Sequence, residues 1–145
     1  MVDKNKALTE YISTYPKNYG WLFFNVINIE AGSSSLLTDS DNLLFKSVTG
    51  VEKREYVFSI AMMKNFDTGT SDTNIDAMAE TQFFSEWIKL QNKIKKFPLW
   101  NDFDIIENIE VLTTVPILSV DSEQNVARYI LQLKIAYNNE SEVIK

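Results

Sequence analysis

The sequence predicts an α+β fold in one domain: a helix, three strands, a second helix and two final strands, with both helices packed on one face of a mixed or antiparallel sheet. Three observations carry that expectation. No proline or glycine interrupts the run from Thr73 to Lys96, where apolar residues recur at helical spacing. Residues 54–64 and 125–137 alternate apolar with other side chains at the period of two that a strand requires. The strand-like stretches fall in blocks between the helices, so a regular helix–strand alternation is not expected.

Each element has a local reason. Ala7, Leu8, Tyr11, Ile12 and Tyr15 recur at helical spacing, and Pro16 stops that helix because proline disfavours a helical residue before it. After the turn Pro16 to Gly20, residues 21–30 are aromatic and β-branched, and near-continuous apolar character from Trp21 to Ile27 predicts a strand covered on both faces. Residues 31–41 are small and polar and read as a loop, with at most a short extended piece at Leu36-Leu37. A second strand is expected from Asn42 to Thr49 and a third from Arg54 to Lys64, joined as an antiparallel hairpin through Thr49-Gly50-Val51.

A loop at 67–72 leads into the long helix, where Thr73-Asn74-Ile75-Asp76 fits a capping box and Lys93, Lys95 and Lys96 suit the negative end of the helix dipole. Pro98 ends it. A fourth strand is expected from Ile105 to Thr113, closed by Pro116, and a fifth from Asn125 to Tyr137. The polar tail from Asn138 is expected to fray. At 145 residues with no internal repeat or linker, residues 1–145 form one expected domain.

Composition narrows the chemistry. The chain has no histidine and no cysteine, which excludes histidine bases, cysteine nucleophiles, disulfides and His/Cys zinc sites. Its net charge of -6 argues against broad binding to nucleic acid or to anionic membranes. No apolar run approaches the ~20 residues that span a bilayer. Asp39-Ser40-Asp41-Asn42 invites a calcium reading, but Leu44 stands where the loop needs glycine and Gly50 where it needs glutamate. A solvated turn is the expectation there. Glu107 and Glu110 lie three apart on a strand, hence on opposite faces. Gly69-Thr70-Ser71 lacks the second glycine and the lysine of a phosphate loop. The sequence therefore predicts no catalytic residue, no cofactor and no metal site, and a chain that is not an enzyme.

The long helix carries two apolar stripes. Phe83, Trp87, Leu90 and Ile94, with Ala79 and Phe97, form one that is expected to face the sheet. Phe84 and Ile88 form a second, about 100° round the helix. A surface helix needs one apolar face, so this pair is either covered by the first helix or forms a contact between subunits. Phe84 and Ile88 are the candidate subunit-interface residues.

Tyr19-Gly20-Trp21-Leu22-Phe23-Phe24-Asn25-Val26, Arg54-Glu55-Tyr56-Val57-Phe58-Ser59-Ile60, Phe83-Phe84-Ser85-Glu86-Trp87-Ile88, Phe97-Pro98 and Ala127-Arg128-Tyr129 carry a resemblance over most of the chain. In these the chain resembles the tail terminator or tail-completion proteins of tailed bacteriophages. Those described as minor capsid or head–tail joining proteins, from phages of Gram-positive bacteria, are the most similar. The resemblance implies self-association into a ring, a hexamer, that caps the tail tube protein and meets the head-side connector or stopper protein. It implies a virion location at the tail–neck junction after synthesis in the host cytoplasm, with no membrane partner. DNA would pass the lumen without specific binding, since acidic walls offer phosphates no counterion release. Loops 31–41 and 67–73 would adapt to neighbours, and strand edges would extend pairing between subunits. A small carboxylate-dependent enzyme and a monomeric cytoplasmic adaptor are the alternatives.

Overall fold

A six-stranded mixed sheet carries both helices on one face. The computed structural model describes residues 3–16, 22–24, 34–65, 72–113, 117–121 and 126–143. The elements are α1 (Lys4–Ser13), β1 (Leu22–Phe24), β2 (Ser34–Lys46), β3 (Glu52–Asn65), α2 (Asp72–Lys93), β4 (Asp104–Val111), β5 (Ile117–Asp121) and β6 (Val126–Asn139). The strand order is β1-β2-β3-β6-β4, with β5 also pairing β6. Among the described residues β1 and β2 run parallel and the other pairs are antiparallel. The α+β class, the mixed sheet and the element order expected up to β4 are therefore present.

β3 and β6 are the centre. They pair along their full length, from Glu52↔Asn139 to Asn65↔Val126. On the helix-facing side, Tyr56, Phe58, Ile60 and Met62 lie beside Tyr129, Leu131, Leu133, Ile135 and Tyr137, all buried. Burying each such side chain contributes about 1.5–3 kcal/mol, so this alternation alone orients the sheet. The other face carries the interrupted row Glu55, Lys134 and Glu110, where Lys134 Nζ lies 2.9 Å from Glu110 and 3.7 Å from Glu55.

α1 starts because Asp3 caps it: one carboxylate oxygen accepts the amides of Asn5 at 3.0 Å and Lys6 at 3.3 Å. Its Leu8, Tyr11 and Ile12 enter the core. α2 ends in a Schellman arrangement, with the Lys96 amide bonding the Gln91 carbonyl and the Lys95 amide that of Asn92. Lys95 holds the left-handed position there, with φ 59°. The side chains of the predicted capping box at Thr73-Asp76 lie outside the described ones.

Three expectations are corrected. The predicted loop at 31–41 is strand from Ser34 onward, pairing Met62 through Phe58, with bulges near Asp39 and Leu44 that let its polar side chains stay at an edge. A strand not foreseen, β5, follows Pro116 and completes the outer edge of β6 below β4. The tail does not fray where it is described. Asn138 and Asn139 belong to β6, and the Glu140 amide bonds the Phe103 carbonyl at 2.8 Å. Gly50 makes room for that tail: it sits at φ 98°, and a Cβ there would collide with the Glu142 carbonyl oxygen.

Candidate functional site

Among the described residues, β2 beyond Leu36 pairs only with β3, so its second half forms an edge of the sheet. Its distal part, from Asp41 to Thr49, is exposed throughout apart from half-buried Ser47. Here Leu43, Leu44 and Phe45 are about half or more open to solvent and Val48 is 98% exposed. The bulge between Leu43 and Phe45 breaks the alternation, so pairing resumes with Phe45 opposite Lys53 and Leu43 opposite Arg54. Leu43 and Phe45 then stand on opposite faces of the ribbon, with Leu44 between them. Four large apolar side chains exposed along this sheet edge and its turn, on both faces of the ribbon, make it a candidate interaction surface.

Beside this edge, the sheet is tied to α1 by a polar and aromatic joint. Lys4 Nζ donates to the Tyr137 hydroxyl at 2.9 Å and stands 4.5 Å from that ring and 5.3 Å from the Trp100 ring. The Tyr137 hydroxyl donates in turn to Asp41 on β2 at 2.6 Å. Arg54 Nε lies 3.3 Å from the same carboxylate. Asp104, whose side chain is buried, accepts from Asn139 at 2.7 Å and faces Lys4 at 3.9 Å. Trp100 stacks edge-on against Tyr137 at 5.0 Å and Tyr56 at 5.5 Å. Tyr56 completes the joint by bonding Asn5 of α1 and Thr38 of β2. Burial, then the bond to Asp41, push the Tyr137 hydroxyl well above its ordinary range, so it stays protonated as donor. The joint ties α1 to β2, β3 and β6 and supplies the buried Asp104 carboxylate with Asn139 and Lys4 as partners.

A second surface lies on the outer side of α1. A groove of about 490 Å³ runs between that helix and residues 96–99, with Ala7, Tyr11, Phe97, Pro98 and Leu99 supplying its mostly apolar wall. The Tyr11 hydroxyl donates to the Lys96 carbonyl at 2.8 Å and ties the two sides together. Burial raises the Tyr11 hydroxyl in the same sense as Tyr137.

The predicted interface pair is a correction. Phe84 and Ile88 are 1% and 0% exposed and belong to the core, so they present no surface to another subunit. Tyr15, just after α1, meets Phe84 edge-on at 5.2 Å, and Tyr11 and Tyr15 both pack on Trp87. Phe84 is thus covered by Tyr15 just beyond the first helix, and Ile88 is buried in the same core. Conversely Leu90 and Ile94, expected on the sheet, are 51% and 55% exposed. The helix is rolled so that Thr81, Phe84, Ile88 and Gln91 face inward.

The other motifs separate. Asp39 and Asp41 lie on a strand and not on a turn: Asp39 accepts from Ser59 at 2.7 Å, and Asp41 sits in the joint. Glu107 accepts from Asn138, and Glu110 pairs with Lys134. Among the described residues no group of three or more acidic side chains could hold a metal ion. Gly69-Thr70-Ser71 and the loop at 67–71 lie outside the described residues. No helix among them is long and apolar enough to cross a membrane. The exposed apolar edge at Leu43 to Phe45 is what the sequence pattern alone did not single out. Its signal was three consecutive apolar residues, Leu43-Leu44-Phe45, where a half-buried strand should alternate. No protein-family model matches the chain, and no curated protein matches it.

Proposed function

We propose that this chain is a structural subunit of a phage tail, assembling with copies of itself into a ring that caps the tail tube and joins it to the head-side connector. The observation that carries the reading is the sheet edge and turn that expose Leu43, Leu44, Phe45 and Val48. A monomer gains nothing from four large apolar side chains left open to water on a sheet edge, whereas an assembling subunit buries them. The joint at Lys4, Tyr137, Asp41 and Trp100 supports it, because an edge used for assembly is best presented by a firmly held strand. The element order and the resemblance stated above supply the tail-specific part: six copies, a tube below, a connector above, and DNA moving through the lumen without a specific contact.

Native mass spectrometry of the purified chain over a rising concentration series tests the self-assembly. A closed oligomer, six copies on this reading, supports it. A monomer at every concentration up to the millimolar range contradicts it.

A further inference from the structure

We infer that the outer stripe of α2 is a dimer contact: α2 of a second copy lies antiparallel along it, about a two-fold axis between Trp87 and Leu90. The contact goes beyond the ring reading and does not rest on it. α2 lies over β4, β3 and β6, whereas the exposed Leu43, Leu44 and Phe45 belong to β2. A two-fold contact pairs chains without propagating, so it joins two copies outside the neighbour contacts of a ring.

The spacing of the stripe is the first argument. Phe83, Trp87, Leu90 and Ile94 follow one another at intervals of four, three and four, the pattern of a coiled-coil seam. The seam is about 16 Å long, three turns of helix. Phe83, Leu90 and Ile94 are 43%, 51% and 55% exposed. Trp87 is half-buried, with Tyr11 and Tyr15 packed on it. A flat surface meets such a stripe at its crests, whereas another helix fills the spaces between its side chains.

Charge identifies the second helix as this same α2. In its sequence every acid precedes every lysine: Asp72, Asp76, Glu80 and Glu86 come first and Lys89 and Lys93 follow, with Lys95 and Lys96 just beyond its end. A helix with an acidic first half and a basic second half complements a copy of itself only when the copy is antiparallel. A parallel copy would set acid against acid and lysine against lysine. The antiparallel orientation also brings the opposite ends of the two helix dipoles together.

The register follows from the seam. Antiparallel packing about its midpoint sets Phe83 against Ile94 of the second copy and Trp87 against Leu90 of the second copy. Glu86 then flanks Lys93 of the second copy, and the same pair recurs across the axis. Both side chains are exposed, and neither has an ion pair among the described residues. Lys89 stands roughly 130° round the helix from the middle of the seam, clear of the contact.

The chain has no cysteine, so one placed on the seam reports this contact. Leu90→Cys keeps a small apolar side chain at a half-exposed position. Treated with a short bifunctional thiol crosslinker, it is expected to give a covalent dimer, and Lys89→Cys, off the seam, far less. Adding Glu86→Lys or Lys93→Glu to Leu90→Cys sets like charges together on both sides of the axis and is expected to cut the yield about fivefold or more. Adding both changes is expected to restore it, with melting temperatures at low micromolar concentration within about 4 °C throughout. A yield no higher than that of Lys89→Cys, or one that neither single charge change lowers, overturns the contact. A closed ring in native mass spectrometry without this crosslink overturns the contact and leaves the ring reading standing. The crosslink with no closed ring supports the contact and removes that reading.

Discussion

Phe84→Ala and Ile88→Ala, set against Leu90→Ala and Ile94→Ala, test how α2 is rolled on the sheet. Phe84 and Ile88 are fully enclosed, with Phe84 touching Tyr15 at 5.2 Å and Trp87 at 6.0 Å. Truncating an enclosed phenylalanine costs about 3–5 kcal/mol and an enclosed isoleucine about 2–5, because the lost transfer energy is joined by an unfilled cavity. Domains have only about 5–15 kcal/mol in total, so either change removes a large share. Leu90 and Ile94 are half open to water, and their truncation is expected to cost less than about 1 kcal/mol. The assay is urea unfolding followed by tryptophan fluorescence at low micromolar concentration, where contacts between copies contribute little. With a slope of about 2 kcal/mol per molar, Phe84→Ala should lower the midpoint by about 1.5–2.5 M and Leu90→Ala by less than about 0.5 M. Equal losses on the two stripes, or the reverse order, would refute the assignment and restore Phe84 and Ile88 as surface.

Gly50→Ala is expected to lower the melting temperature by about 3–8 °C, from about 1–2 kcal/mol of left-handed strain before the tail is displaced. Its Cβ would also meet the Glu142 carbonyl, so hydrogen exchange at the Val143 amide should quicken; an unchanged melt and exchange would count against the tail's docking. Lys95→Gly should act oppositely and raise the melting temperature by about 1–4 °C, since glycine adopts the positive φ of that helix end without a Cβ clash. A drop would show that the lysine side chain matters there more than its backbone. Tyr11, Tyr56, Tyr129 and Tyr137 all have hydroxyls raised above the ordinary value of 10.0, with burial the first cause. The unfolded chain ionises first, so their contribution is complete below pH ~10 and is lost as pH climbs through the raised folded values, at up to ~1.4 kcal/mol per pH unit for each. Phenolate absorbance should then rise in two stages, the second coinciding with alkaline unfolding; a single stage at the ordinary value would contradict the burial.

Much of the fold was legible because its signals are local. Pro16 and Pro98 follow the two helices, and the alternation in 54–64 and 125–137 was strong enough to place β3 and β6. The first half of β2 was hidden because Ser34, Ser35, Thr38, Asp39 and Ser40 look like loop residues. What makes them strand is β3 beside them, which offers Met62 to Phe58 as a complete pairing edge. β5 was hidden for the same reason, its partner β6 being ten residues or so further along. The roll of α2 was misread because the inward stripe contains Thr81 and Gln91. Thr81 is buried at little cost, its hydroxyl donating to the Met78 carbonyl at 2.6 Å within the helix. The aromatic rings of Tyr11 and Tyr15 then decide between the stripes by covering Phe84 and the flank of Trp87. No periodicity argument contains that contact. The groove is likewise a product of tertiary packing, since residues 3–14 and 96–99 are far apart in the chain.

Electron cryo-microscopy of the chain at the highest concentration that stays monodisperse tests the account most directly. The expected density is a closed ring of six subunits with Leu43, Leu44, Phe45 and Val48 of each subunit covered by a neighbour. Isolated single subunits, or a two-fold dimer that leaves those four side chains in solvent, would contradict it.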